Sequence, residues 1–181
     1  RNYTLRGDYT ESSKTSMIVI DNFVLEEYIL KEFAKKSTWN TLKNSSYQEW
    51  NGMDYIENTI LGDFIWKVKN KFWEEYTWSH FEYWDNQITE QKELKWHVDR
   101  NEAKYRETAE VLLPLAGAVW YGYPHDVWGG YLEIQNESKY PTDTERIQPV
   151  YNRLVVFDVS KLHRVSPVFK GTRYGLQINL W

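Results

Sequence analysis

The sequence predicts a mainly β fold with flanking helices, most simply a jelly roll with two N-terminal helices packed on one face. Two segments before residue 77 carry apolar side chains at helical spacing, and this spacing disappears after them. From residue 77 to the end, about eight short β-type segments alternate with turn residues. Both helices need a sheet to cover, and that many strands can form one.

Residues 1–76 are expected to contain a polar arm, one strand and the two helices. Residues 1–16 are polar, which is typical of a frayed arm rather than a signal peptide. The segment SMIVIDNFV begins as a short apolar strand and runs into Asp21 and Asn22, either of which is expected to cap the next helix. The predicted helices span residues 25–37 and 60–76. Their apolar faces consist of Leu25, Tyr28, Ile29 and Phe33 in the first, and Leu61, Phe64, Ile65, Val68, Phe72 and Tyr76 in the second.

Residues 77–181 are expected to form the jelly-roll core, within a single domain that spans residues 1–181. The β-type segments are WSHFEYW, LKWHVD, TAEVLLPLAGAVWYGY, GGYLEIQ, RIQPV, NRLVVFDV, HRVSPV and TRYGLQINLW. In the last segment, alternation places Arg173, Gln177 and Asn179 on one face and apolar side chains on the other. One face is therefore expected to pack in the core while the other carries polar groups.

Composition limits the kinds of partner. The chain carries a formal net charge of −4, which argues against broad binding to nucleic-acid backbones. No apolar run is long enough to span a bilayer, so no membrane partner is expected. The chain has no cysteine, which is compatible with a reducing compartment, and we expect a cytoplasmic location. Aromatic residues make up 17% of the chain, and we expect most of them in a β-rich core rather than on a stacking surface.

The segment LKWHVDR indicates a metal site. Alternation along a strand sends His97 and Asp99 to the same side. His163 opens a later strand that can return across a barrel, so it is the natural third ligand. Two histidines and one carboxylate occupy one face of an octahedron, the arrangement of non-haem Fe(II) oxygenases. His80 and Glu82 have the same spacing, but their sequence surroundings offer no third ligand, so this second pair is the weaker candidate.

Arg173 raises a question of charge. A guanidinium inside a barrel is unfavourable unless an anion meets it, and no acidic residue of the sequence is obviously reserved for it. A dicarboxylate cosubstrate would supply that charge, with one end on the metal and the other paired with Arg173. The alternative is an arginine whose charged group simply reaches solvent at the end of a strand.

The closing stretch LHRVSPVFKGTRYGLQINLW resembles the closing motif of the Fe(II)/2-oxoglutarate-dependent oxygenases, nearest to their prolyl-hydroxylase-like branch. KWHVD resembles the first metal motif of that family, GGYL its Gly-Gly strand, and IQPVYNRLVVFD the strand that enters the second metal histidine. The matches keep the order of the family and together extend over residues 81–181, which makes the resemblance specific.

The resemblance implies a double-stranded β-helix that uses Fe(II), 2-oxoglutarate as cosubstrate and O₂, with ascorbate as a candidate reductant. It assigns Fe(II) to His97, Asp99 and His163, and the distal carboxylate of 2-oxoglutarate to Arg173. Tyr83 is the expected equivalent of a tyrosine of the prolyl-hydroxylase-like branch that also contacts this carboxylate. The implied reaction is hydroxylation of an unactivated C–H bond, with release of succinate and CO₂.

Substrate choice is expected to depend on side chains near the metal. Gln177 and Asn179 share the face of Arg173, and we expect them to hydrogen-bond the substrate, to tune an iron ligand, or only to complete internal hydrogen bonds. Trp120 and Tyr123 lie in a segment that predicts either a lid with a substrate groove or a packed hairpin. The expected partner is a peptide or protein in which a prolyl or other amino-acid residue is hydroxylated. The alternatives are a free amino acid or small metabolite with the same cofactors, and a non-catalytic jelly-roll binding module.

Overall fold

The computed structural model describes residues 17–44, 48–50, 59–136 and 144–181. The predicted polar arm, residues 1–16, lies outside these described residues. Within them the helices are α1 (Glu27–Phe33), α2 (Lys36–Asn44), α3 (Ile60–Phe72) and α4 (Glu102–Thr108). The strands are β1 (Ile18–Ile20), β2 (Gln48–Trp50), β3 (Phe81–Asp85), β4 (Leu94–His97), β5 (Ala116–Trp120), β6 (Trp128–Gly129), β7 (Leu132–Gln135), β8 (Thr144–Ile147), β9 (Leu154–Phe157), β10 (His163–Val165), β11 (Val168–Lys170) and β12 (Leu176–Leu180). In this part of the chain, no helix has both the length and the apolar character needed to cross a membrane.

Two antiparallel sheets position the site. The larger one has six strands in the order β1-β9-β5-β12-β3-β2, and the smaller one has four in the order β4-β10-β7-β8. Strands β6 and β11 form a separate pair. A single cavity is lined by β3, β5 and β12 of the larger sheet and by β4, β7 and β10 of the smaller sheet. The site described below therefore lies between the two sheets.

Helices α1, α2 and α3 pack on the face of the larger sheet that points away from this cavity. Phe64 of α3 stacks on Trp120 of β5, with 4.3 Å between the ring centroids. Phe33 of α1 packs edge-on against the same tryptophan at 5.0 Å. All three side chains are buried. A continuous aromatic core thus joins the helices to the sheet, as the aromatic content of the sequence predicts.

Strand β12 alternates as its sequence predicts. Leu176, Ile178 and Leu180 are buried in the helix-side core. Gln177 and Asn179 point the other way and line the cavity. The period of two therefore carries the polar face of the last strand directly to the site.

Among the described residues, three helices rather than the two predicted precede β3, because the first predicted helix is interrupted after Phe33. Trp39 Nε1 donates to the Phe33 carbonyl at 2.7 Å, and Thr38 Oγ1 donates to the Glu32 carbonyl at 3.0 Å. These side chains satisfy carbonyl groups at the end of α1. Trp39 itself is fully buried. Burial of this indole therefore decides where α1 ends, which local helical spacing does not reveal.

The predicted helix cap and parts of the predicted apolar faces are wrong. Asp21 pairs with Arg153 instead of capping α1, which begins after Glu26 without a side-chain cap. Leu25 precedes α1 and is 80% exposed, and Tyr28 is 49% exposed. The second predicted helix, α3 in the structure, ends at Phe72, four residues before its predicted boundary. Tyr76 is consequently outside the helix and 39% exposed.

The segment between β4 and β5 differs from the predicted long strand. Residues 102–108 form α4, whose N-terminus is capped by Asn101 through a bond from Lys104 N to Asn101 Oδ1 at 2.8 Å. The helix ends at Ala109, which has a left-handed conformation with φ 58°. The strand begins only at Ala116. Residues 110–115 form neither a helix nor a strand, and Leu113 and Leu115 are exposed, so the apolar pattern of this segment does not produce a buried strand.

Candidate metal centre

Strand pairing brings His97, Asp99 and His163 together. His97 ends β4 and His163 begins β10, and these two residues are directly opposite each other in the antiparallel pair. Asp99 Oδ1 lies 3.4 Å from His97 Nε2 and 3.5 Å from His163 Nε2. One ligand atom from each residue lies within 4.8 Å of the others. We refer to these three residues as the His-Asp-His cluster; the second candidate pair, His80 and Glu82, belongs to no such group among the described residues.

Backbone carbonyls orient both imidazole rings. His97 Nδ1 lies 2.7 Å from the Lys95 carbonyl, and His163 Nδ1 lies 2.7 Å from the Lys161 carbonyl. A carbonyl oxygen only accepts, so the neutral rings carry their proton on Nδ1 and present the lone pair of Nε2 to the cluster. This is the tautomer that a metal ion requires, and the outer hydrogen bonds hold each ring in place for it.

The cluster keeps its carboxylate ionised. Burial alone would raise the pKa of Asp99, but its contacts with the rings of His163 and His97 and the hydrogen bond from Asn179 outweigh it and hold this pKa well below its ordinary value. Burial also works to lower the pKa of His97, but the contacts with Asp99 and with the Lys95 carbonyl raise it on balance. One anionic oxygen between two imidazole nitrogens is a donor set that fits a divalent transition metal such as Fe(II).

Metal binding is therefore expected to strengthen as pH rises. Below the raised pKa of His97 the ring carries a second proton, and its ion pair with Asp99 stabilises the metal-free protein. This stabilisation is lost as pH rises through that pKa, and the freed ring nitrogen can bind a metal ion. The increase in melting temperature on adding Mn(II) should accordingly be larger at about pH 8 than at about pH 6. Differential scanning fluorimetry at both pH values measures it, and a larger increase at the lower pH would contradict the assignment.

Arg173 lies in the same cavity as a buried cation with an unpartnered donor. The residue is 1% exposed. Its Nε donates to the Gly130 carbonyl at 2.9 Å, and Nη2 donates to Tyr121 Oη at 3.1 Å, so neither partner is charged. Nη1 has no hydrogen-bond partner among the described residues. A buried guanidinium in this state calls for an anion, and the alternative of an arginine that reaches solvent does not hold.

Gly130, the second glycine of the GGYL segment, leaves the space that Arg173 occupies. Gly130 has φ +65°, a conformation that favours glycine, and a Cβ atom built on it would lie 3.0 Å from Arg173 Cδ. A larger residue would therefore crowd Arg173, whose Nε donates a hydrogen bond to the Gly130 carbonyl. The resemblance of GGYL to a family motif thus has a physical basis here.

One cavity of about 500 Å³ contains both the His-Asp-His cluster and Arg173. This volume lies in the usual range for small-molecule sites. Apolar side chains also line it: Leu94, Val119, Leu132, Phe157 and Val165. The His-Asp-His cluster and Arg173 among these apolar walls suit a small molecule that carries charge and also has an apolar part.

Three of the predicted site residues lie outside this cavity. Tyr83 is buried in the helix-side core, on the same face of β3 as Phe81. Trp120 is buried there as well, and Tyr123 packs on Tyr174 with 4.3 Å between ring centroids. The predicted contacts of Tyr83 with a cosubstrate and of Trp120 with a substrate therefore do not fit this cavity, whereas the contact of the partly exposed Tyr123 with a substrate stays a prediction.

Tyr121 belongs to the segment expected to form a lid or a hairpin, and its contact with Arg173 is what the sequence reasoning missed. It is fully buried, accepts a hydrogen bond from Arg173 Nη2, and has its ring 4.9 Å from the guanidinium carbon. Trp120 faces the helices, so alternation along the strand directs Val119 and Tyr121 to the opposite side. Val119 lines the cavity on that side. Consistent use of the period of two along this segment would have found it.

The segment that follows β5 is packed rather than open around His125. Tyr174 N donates to His125 Nδ1 at 3.0 Å, so the ring proton is on Nε2, which donates to the Pro149 carbonyl at 2.8 Å. Burial lowers the pKa of His125 and favours this neutral form. With both ring nitrogens engaged, His125 has a structural role, as a packed hairpin predicts.

Gln177 and Asn179 line the cavity as predicted, and Asn179 contacts the cluster directly. Asn179 Nδ2 donates to Asp99 Oδ2 at 2.8 Å. Gln177 Nε2 donates to Asn179 Oδ1 at 3.0 Å. Two of the expected roles are thus formed in this structure, an internal hydrogen bond between the two amides and a contact of Asn179 with a candidate metal ligand.

Comparison with known proteins places these residues in a family context. The family model described as 2OG-Fe(II) oxygenase superfamily matches residues 83–181, which include the His-Asp-His cluster and Arg173. No curated protein sequence matches the chain significantly.

Several solved structures are similar to this chain. A prolyl-4-hydroxylase from Pseudomonas putida has 16% identity and a TM-score of 0.57, with 91% of this chain and 86% of that chain covered. HygX from Streptomyces hygroscopicus, with nickel and 2-oxoglutarate bound, has 10% identity and a TM-score of 0.58, with 91% and 81% covered. A prolyl hydroxylase from Trichoplax adhaerens, in complex with a hypoxia inducible factor peptide fragment, has 15% identity and a TM-score of 0.53, with 91% and 83% covered. At these identities the likeness shows a shared fold, and it confirms the predicted jelly roll.

Proposed function

This chain belongs to the 2OG-Fe(II) oxygenase superfamily, and from that membership we propose that it hydroxylates an unactivated C–H bond of a prolyl or other amino-acid residue in a peptide or protein. The family uses Fe(II), 2-oxoglutarate and O₂. The observation that carries the proposal is the presence of the His-Asp-His cluster and the unpartnered Arg173 Nη1 in one cavity.

His97, Asp99 and His163 would hold the Fe(II). Their donor atoms fit the ion because two neutral imidazole nitrogens and one ionised carboxylate oxygen converge, and the carbonyls of Lys95 and Lys161 fix the ring orientation. Bound iron, together with 2-oxoglutarate and O₂, supplies the oxidising power that removes hydrogen from carbon and returns a hydroxyl group, with release of succinate and CO₂. The protein contributes position and the exclusion of water.

Arg173 and Tyr121 would bind the distal carboxylate of 2-oxoglutarate. The guanidinium is held by Gly130 and Tyr121, and its free Nη1 can donate to a carboxylate oxygen. The charge of the cosubstrate would then compensate a cation that is otherwise buried among neutral partners. The apolar walls around it would favour a cosubstrate with an aliphatic chain between its two charged ends.

A peptide or protein substrate is supported by the fold neighbours. Two of the similar structures are named prolyl hydroxylases, and one of these contains a peptide. Besides the His-Asp-His cluster, the cavity is also lined by residues 100–103 and Trp181. These residues are candidates for the contacts with the substrate.

Succinate release and product mass test the proposed function. With Fe(II), 2-oxoglutarate and O₂ we expect succinate even without substrate, through uncoupled turnover, and a mass gain of one oxygen atom in a peptide library with proline in varied contexts. A gain found only in a metabolite extract would instead identify a free amino acid or small metabolite as the substrate. Metal binding without any succinate would identify a non-catalytic binding module and contradict the proposal. The His97→Ala variant is the control that should release none.

A further inference from the structure

We propose that Asn179 is a positioning residue that holds Asp99 so that a single carboxylate oxygen is presented to the metal. This inference rests on the proposed function of the His-Asp-His cluster as the Fe(II) site. The two oxygens of Asp99 have different surroundings. Oδ2 accepts from Asn179 Nδ2 at 2.8 Å, whereas Oδ1 lies nearly equidistant from the two histidine Nε2 atoms, at 3.4 and 3.5 Å.

The hydrogen bond from Asn179 fixes the rotation of the Asp99 carboxylate. A carboxylate that is free to turn can offer both oxygens to a metal and occupy an additional coordination position. With Oδ2 held by the amide, Asp99 contributes Oδ1 alone. Two histidines and one oxygen then leave three positions of an octahedron open, which is the number that a chelating keto acid and O₂ need together.

Gln177 determines which end of the Asn179 amide faces Asp99. Gln177 Nε2 donates to Asn179 Oδ1 at 3.0 Å, so the oxygen of Asn179 is directed at Gln177 and its nitrogen at Asp99. A reversed Asn179 would set its oxygen against the carboxylate and the Gln177 donor against an amide nitrogen. The two amides therefore form a relay with one favoured orientation.

The surroundings of Asn179 are built around this orientation. Asn179 is 1% exposed and Gln177 is 5% exposed, so these bonds are largely shielded from water. Gly117 lies opposite Asn179 in the neighbouring strand, and a Cβ atom there would lie 2.7 Å from Asn179 Oδ1. Both polar atoms of Asn179 are engaged within the chain, which indicates a role toward Asp99 rather than toward a substrate.

Co(II) alone is the probe for this inference, because its binding and visible spectrum do not depend on turnover. We expect Asn179→Ala and Asn179→Leu to weaken Co(II) binding by about 10–100-fold and to change the visible spectrum, since the carboxylate is released. Leucine keeps approximately the shape of asparagine and removes only the donor, so it remains informative where alanine leaves a cavity. Gln177→Ala should change both properties in the same direction and by less.

Asn152→Ala is the matched control. Asn152 is another buried amide, which binds Val24 and Trp120 far from the cluster, so its loss should lower the melting temperature and leave Co(II) affinity unchanged. Wild-type Co(II) affinity and spectrum in both Asn179 variants would overturn the inference. Equal weakening by Asn152→Ala would overturn it too, because general stability would then explain the effect. If His97→Ala bound Co(II) with wild-type affinity, the proposed metal site itself would be wrong, and this outcome is distinct from a failure of the Asn179 inference.

Discussion

Replacement of Arg173 by methionine is expected to weaken 2-oxoglutarate binding by about a hundredfold or more, while metal binding is retained. Methionine has a similar length and removes the guanidinium, so the distal carboxylate of the cosubstrate loses its charged partner inside a buried pocket. Arg173→Lys should give an intermediate loss, because an ammonium keeps the charge without the paired donors of a guanidinium. Anaerobic calorimetric titration of the Mn(II) protein with 2-oxoglutarate measures the change.

Arg153→Met is the matched control for this experiment. Arg153 already pairs with Asp21, at 2.6 and 3.0 Å, and lies outside the cavity. Its replacement should leave 2-oxoglutarate affinity unchanged. A wild-type dissociation constant in Arg173→Met would mean that the unpartnered Nη1 has another use, and the assignment of the cosubstrate would be wrong.

Replacement of His163 by alanine is expected to abolish succinate formation and to weaken Fe(II) or Mn(II) binding beyond the about 10–100-fold that outer contacts typically contribute. The substitution removes one of three converging donors, and two remaining donors cannot hold the ion at the same position. Electron paramagnetic resonance of added Mn(II) measures the free and bound ion directly. Succinate is measured in the same samples after transfer to Fe(II) and O₂.

His80→Ala distinguishes a ligand from a histidine that only lines the cavity. His80 borders the same cavity, but its Nδ1 contacts Ser79 Oγ and its ring stacks on Trp181. We expect this variant to bind Mn(II) as the wild type does. If His80→Ala lost the ion while His163→Ala kept it, the weaker candidate pair of His80 and Glu82 would be the metal site.

Much of the site could be predicted because it depends on short-range periodicity. The spacing of His97 and Asp99 puts them on one side of the chain in any extended conformation, and the alternation of β12 puts Gln177 and Asn179 on the cavity face. The same rule applied to residues 119–121 separates Tyr121 from Trp120.

Other features depend on partners that are distant in sequence. The end of α1 depends on where Trp39 is buried, and Asp21 is drawn from capping α1 to Arg153, which lies 132 residues away. The local sequence around Asp21 does not indicate that this residue pairs with Arg153. Helix boundaries and caps were therefore the least predictable features of the fold.

By itself, the sequence determined the class of fold and the types and order of the candidate ligands, since these follow from residue identity and a period of two. Only the tertiary structure decided which tyrosine meets Arg173, that Arg173 Nη1 is left without a partner among the described residues, and that Asn179 binds Asp99. The reason is physical. Whether a buried polar atom is satisfied depends on every neighbour within a few ångströms, and those neighbours come from strands far apart in the chain.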